Sequence, residues 1–311
     1  MASILSRLIR REPDRPPFPF IVGMNRSGTT LLRMMLDAHP ELTIPPETHF
    51  VPALIKATRQ RGATPEDALA AMKSVREWGY FNFSDEEMLR RLRALPKLRP
   101  GPAVRTFYEA YAERQGKPRY GEKTPTYVQK MKLIQRALPE ARFVHVIRDG
   151  RDVALSVLDR TVRDLTAADV ARRWRKKIRK AQEDAPALRH YMEIRYEDLI
   201  LDTEPVLRKV CEFLELPWSD DVLHYHERSP ERLKEMARPL PGGGRAKELT
   251  VERRMKTHEM TTKPPSRDRV QRWRRQMTEE QRREFEEVAG DLLAELGYPT
   301  GEAVDAVADG S

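Results

Sequence analysis

Apolar positions along this chain fall into two rhythms, short unbroken runs and longer stretches at helical spacing. Their alternation predicts the elements. Residues 20–23 read as a buried strand entered through a proline-rich approach, and residues 29–38 as a helix stopped near Pro40. Residues 42–44 make a short second strand, ended by Pro45 and Pro46. Residues 49–115 read as mostly helical and carry many aromatic rings, among them Trp78, Phe81, Phe107 and Tyr111. Residues 120–123 end a short strand, and a helix follows to about Leu138. Residues 143–148 form the clearest strand, unbroken and rich in β-branched side chains. Beyond it come a helix at 152–163, a strand at 192–196 and a helix at 205–214. Residues 278–296 close the pattern as an amphipathic helix opened by Thr278. Strands alternating with helices predict an α/β fold, a P-loop-like parallel sheet flanked by helices.

No internal repeat is visible, and residues 1–300 read as one domain. Residues 49–115 form a helical insertion placed to cap an active site. Residues 219–265 contain Pro241-Gly-Gly-Gly-Arg245 and read either as a hinged lid or as a plain surface loop. Residues 301–311 read as a disordered tail.

Composition narrows the function classes. The chain has 311 residues, 39% hydrophobic and 34% charged. No apolar run approaches the ~20 residues of a membrane span. The apolar core of the first eleven residues is too short for a signal peptide. Cys211 is the only cysteine, so no intrachain disulfide forms, and a reducing, cytoplasmic setting is expected. The net charge of +9 is dispersed among 48 acidic residues. It fits a salt-bridged surface or a basic cleft for an anionic ligand. Zinc spacing, RNP motifs and basic arms are missing, which argues against nucleic acid as a partner.

The chemistry begins at Phe18-Pro-Phe-Ile-Val-Gly-Met-Asn-Arg-Ser-Gly-Thr-Thr-Leu-Leu32. Gly23 and Gly28 have P-loop spacing and Thr30 sits where the Ser/Thr belongs, but Thr29 replaces the lysine. That lysine reaches β- and γ-phosphates. A loop without it suits a nucleotide lacking a γ-phosphate, held by backbone N–H groups at a helix N-terminus and by the Arg26 fork. A P-loop kinase with an eroded lysine and a non-catalytic nucleotide-binding protein remain alternative readings. In open α/β sheets ligands sit beyond the carboxyl ends of the strands. Four candidates fall there: residues 25–30, Glu47, Lys123, and the string from Arg148 to Ser156.

The loop, continued by Leu36-Asp-Ala-His-Pro40, resembles the sulfotransferases that use 3′-phosphoadenosine 5′-phosphosulfate (PAPS), most closely the tyrosylprotein branch. The resemblance implies a donor site made by Arg26, Ser27, Gly28, Thr29 and Thr30. It implies a 3′-phosphate site at Arg148 and Ser156, with Arg160 one turn further. Tyr196 would lie beside the adenosine, and Thr257 and Lys263, ten residues before Trp273, would also contact the nucleotide. Glu47 matches the catalytic glutamate of that branch and is the expected base. His49 is its rival, although an i to i+2 offset lets the two side chains diverge. Lys123, with Arg26, would stabilise the leaving group. Sulfuryl transfer needs no metal in principle, and the sequence shows no metal-ligand spacing. The product would be 3′,5′-ADP. Two departures stand out. The tyrosylprotein enzymes are membrane-anchored secretory proteins. Arginines that read acidic residues there are replaced here by His49 and Ala53, so the expected acceptor is a sugar, a phenol or another alcohol rather than an acidic tyrosine peptide.

Overall fold

The computed structural model describes residues 15–159, 165–237 and 258–301. Four parallel strands make the main sheet in the order β4–β1–β5–β6, from β1 (Phe18–Gly23), β4 (Glu122–Lys123), β5 (Ala141–Ile147) and β6 (Tyr191–Arg195). All six residues of β1 are buried, as expected of a strand covered on both faces. Phe20 pairs with Phe143 and Ile21 with Val144, so β1 and β5 end side by side. The expected strand at residues 42–44 is shorter. It is β2 (Leu42–Thr43), paired with β3 (Arg119–Tyr120) in a separate two-stranded ribbon rather than in the main sheet.

Helix α1 (Thr29–Ala38) leaves β1 through the glycine loop. The insertion is helical as expected, with α2 (Val51–Ala57), α3 (Pro65–Lys73), α4 (Asp85–Arg93) and α5 (Pro100–Gln115). Its rings do not line a cleft. Phe50, Phe81, Phe83, Phe107, Tyr108 and Tyr111 are buried in one apolar cluster with β1. Phe50 and Phe107 meet edge-on at 4.9 Å, the geometry ring quadrupoles favour. These aromatics are core.

After α6 (Met131–Ala137) and β5 come α7 (Gly150–Leu158) and α8 (Ala167–Asp184). Nothing in the sequence reading anticipates α8. Its apolar stripe of Val170, Ala171, Trp174, Ile178 and Ala181 is buried, and Thr166 and Asp169 close a capping box at its start. Seven Arg and Lys residues between positions 172 and 180 dilute that stripe in a linear reading. Arg175 and Arg179 pair with the closing helix, Arg179 with Glu295 at 2.7 Å. Tyr196 opens α9 (Tyr196–Leu201) instead of ending a strand. Then follow α10 (Thr203–Phe213), α11 (Tyr225–Lys234) and α12 (Glu279–Glu295), the last kinked at Ala289. Among the described residues no helix is long and apolar enough to cross a membrane. Arg160, Thr257, residues 238–257 of the expected lid and residues 302–311 of the expected tail lie outside the described residues.

Candidate active site

The turn from β1 into α1 is built on two left-handed residues, Arg26 (φ 77°) and Gly28 (φ 93°). A Cβ on Gly28 would sit 2.3 Å from Cδ2 of Tyr196. Glycine therefore supplies both the backbone conformation and the room for Tyr196 to lie against the loop. Gly28 is the N-cap of α1 and offers no side-chain cap, and the first turn has no acidic residue. The positive end of the helix is left without an anion of the chain's own.

Arg26 and Ser156 meet: the Arg26 Nε donates to Ser156 Oγ at 3.0 Å. Arg148, just past β5, lies between the loop and Tyr196, with its guanidinium carbon 4.3 Å from the ring centroid. Its nitrogens donate to Arg26 O (3.3 Å), Asp152 Oδ2 (3.2 Å) and Arg269 O (2.7 Å). Asp152 thus meets part of the charge expected to face a phosphate. Two buried groups are still orphaned, Arg148 Nε and Ser27 Oγ. Buried polar atoms are rarely left so, and Arg148 lines a cleft. Asp149 and Arg151 serve the turn instead: Asp149 accepts from the Arg151 N–H at 2.9 Å and caps α7.

The other candidates meet at the end of β4. Lys123 is buried, and its Nζ donates to Glu47 Oε1 at 2.6 Å and to Thr30 Oγ1 at 3.3 Å. Glu47 Oε2 is 3.1 Å from His49 Nε2. Glu47 and His49 therefore do not diverge. His49 has φ 53°, which turns its ring back onto the carboxylate. Glu47 does not cap α2, whose N-cap is Phe50 without a side-chain bond. Burial alone would raise the Glu47 carboxyl, but the Lys123 ammonium and the His49 bond outweigh it and hold it well below the usual range. Burial would lower His49, yet its bond to Glu47 raises it above the ordinary histidine value. Burial pushes Lys123 below the usual lysine range despite the pull of Glu47.

A cleft of about 760 Å³ connects these pieces. Of the expected donor residues, Arg26, Gly28, Thr29, Thr30, Arg148 and Ser156 line it, as does Tyr196. Glu47 and Lys123 do not; they adjoin it through Thr30. Lys263 is not among the lining residues: its ammonium pairs with Glu259 at 2.7 Å on the exposed surface, and the Tyr225 hydroxyl donates to its carbonyl at 2.6 Å. The sequence reading missed His258, Ser266, Arg269 and Arg272, which form the far wall. The Arg-rich run from Arg267 to Arg275 was the available signal for two of them. His258 is half-buried, and burial together with Lys123, Arg26 and Arg33 pushes it down to about 3, so it stands neutral. Among the described residues no group of three or more His, Cys, Asp or Glu is placed to hold a metal ion.

The protein-tyrosine sulfotransferase A of Caenorhabditis elegans is 26% identical over 294 residues, 91% of this chain and 67% of that protein. The protein-tyrosine sulfotransferase of Drosophila melanogaster is 29% identical over 222 residues, 68% of this chain but 40% of its own length. This chain thus spans only part of these curated relatives. In fold, it is similar to the sulfotransferase domain from the Synechococcus PCC 7002 olefin synthase, with a TM-score of 0.56 at 21% identity, covering 94% of this chain and 99% of that one. The family model described as "Sulfotransferase family" matches residues 17–220, from the first strand of the sheet through Arg148, Ser156 and Tyr196. The chain belongs to the sulfotransferase family.

Proposed function

We propose that this chain transfers a sulfuryl group from PAPS to a hydroxyl acceptor. The observation that carries the reading is the Thr30–Lys123–Glu47 chain, set where a glycine loop without the P-loop lysine meets an open cleft. When bound, PAPS supplies an activated sulfuryl group and a phosphate leaving group. The residues present suit it. Backbone N–H groups of the loop and the start of α1, with Arg26, would hold the 5′ side. Arg148 and Ser156 would hold the 3′-phosphate, and Tyr196 would face the adenosine. Glu47 takes the acceptor hydroxyl proton, since its carboxylate stays ionised and is 30% exposed. Lys123 carries the positive charge placed for the leaving oxygen. As Lys123 turns from Glu47 toward that oxygen, the carboxylate loses the cation that weakens it as a base.

A kinase would want the missing lysine, and a purely regulatory protein would have no use for a buried Lys–Glu pair. Melting curves separate the kinase from the other two, and turnover on an acceptor separates the regulator. We expect 3′,5′-ADP to raise the melting temperature well beyond 5′-ADP or ATP. At a hundredfold excess over Kd the stabilisation is about 2.7 kcal/mol. Equal or larger shifts with ATP would reject the donor assignment.

A further inference from the structure

The turn that carries Glu47 is held from beneath by a closed set of hydroxyls around one buried carboxyl. Glu122 is fully buried. It accepts from Thr48 Oγ1 at 3.1 Å, and also from the Tyr108 and Thr124 hydroxyls. Thr48 Oγ1 also lies 3.1 Å from Tyr127 OH, which itself accepts the Val51 N–H at 3.1 Å. The Thr48 N–H donates to Thr124 Oγ1 at 3.1 Å. Both polar handles of Thr48 are thus fixed, and Thr48 is the residue between Glu47 and His49.

The fixing matters because the turn is strained. His49 has a left-handed φ of 53°, and a bond of 2.6 Å from the Phe50 N–H to Thr48 O closes the backbone around it. Such a conformation in a non-glycine residue is strained and persists only where its surroundings impose it. The Glu122 cluster is what imposes it. Released, the turn would relax and His49 would leave Glu47.

We propose that Glu122 is a positioning residue for the reaction: through the Thr48 hydroxyl it fixes the turn that brings Glu47 and His49 together beside Lys123. The inference rests on Glu47 as the base, but the geometry it asserts is measurable without turnover. Glu122 is not among the residues that line the cleft, so its positioning effect passes through the Thr48 and Thr124 hydroxyls.

The test reads the His49 imidazole by NMR titration. The charged groups acting on His49 are Glu47, Glu77 and Glu122, with Lys123 across the Glu47 carboxylate. Glu122→Gln would remove one of those charges and shift His49 for that reason alone. The deciding variants are therefore Thr48→Val and Tyr127→Phe, which keep every charge and remove one hydroxyl each. In the wild type His49 is expected to titrate above the ordinary histidine value. In Thr48→Val it is expected to fall to the ordinary value or below, with turnover down about 10-fold or more and 3′,5′-ADP affinity retained. Tyr127→Phe is expected to show the same signature, weaker. A His49 titration unchanged in both folded variants overturns the inference, as does loss of turnover with equal loss of nucleotide affinity. If Thr48→Val does not fold, Tyr127→Phe decides alone. A wild type that titrates as expected but transfers no sulfuryl group rejects the proposed function and leaves the positioning geometry standing.

Discussion

Glu47→Gln is expected to lower turnover by about 10²–10⁴, the usual contribution of a positioned general base, while 3′,5′-ADP affinity stays nearly unchanged. Glu47 lies outside the cleft that the donor residues line, so the amide removes proton acceptance without touching nucleotide contacts. The carboxylate is held ionised well below its usual range, by Lys123 and His49 against the effect of burial. Its protonation therefore should not limit the rate as pH falls through the ordinary carboxylate range. Calorimetric titration with 3′,5′-ADP, alongside an assay across pH, checks both statements. Full activity in Glu47→Gln would move the base elsewhere, with His49 first in line.

The second large effect concerns stability. Arg232 on α11 reaches across to α1, donating from Nε to Asp37 Oδ2 at 2.7 Å and from Nη2 to Asp37 Oδ1 at 3.0 Å. It also donates to Tyr111 OH at 2.9 Å, joining α5 to the same cluster. Both charges are largely withdrawn from water, at 14% and 5% exposure. Removing one partner of a buried pair strands the other, which costs about 3–5 kcal/mol. Arg232→Met is expected to lose stability on that scale in denaturant melts, and Asp37→Asn in the same chain should recover part of it. The pH dependence has a definite sign. Burial raises the Asp37 carboxyl, but Arg232, Arg33 and Lys117 together lower it below the usual aspartate value. A depressed carboxyl contributes stability above its unfolded pKa of about 3.9 and loses it as pH falls below that. Without Arg232 the burial effect gains ground and the Asp37 carboxyl rises toward its unfolded value, so the share of stability that Asp37 loses in acid should shrink. A small loss in Arg232→Met, with an unchanged acid transition, would show that the pair is not the tie it looks to be.

What was legible in the sequence was what depends on neighbours in the chain. The loop around Arg26 and Gly28, the apolar run of β5 ending at Arg148, and the helical insertion all declare themselves by local spacing. So did Glu47 and Lys123 as separate candidates. What was not legible depends on long-range packing. Helix α8 was lost because its core stripe is threaded through seven basic residues, two of which, Arg175 and Arg179, have acidic partners more than a hundred positions away on α12. Tyr196 read as a strand end because its place against Gly28 is a tertiary contact. The convergence of His49 on Glu47 needed a left-handed φ that no histidine announces. The ring-rich insertion read as a cap on the active site, but burial assigns Phe50, Phe81, Phe107 and Tyr111 to the core. His258 and Arg269 belong to the cleft only because the chain returns there after α11.

Sulfuryl transfer can be followed directly. Purified chain supplied with PAPS labelled in its sulfuryl group, and with a panel of glycans, small phenols, alcohols and acidic tyrosine peptides, tests it in one measurement. The account predicts label on a hydroxyl of at least one non-peptide acceptor, one 3′,5′-ADP formed per sulfuryl group moved, and loss of both in Glu47→Gln. Label passing selectively to acidic tyrosine peptides would contradict the acceptor reading. No labelled acceptor anywhere in the panel, with phosphoryl transfer from ATP in its place, would contradict the account as a whole.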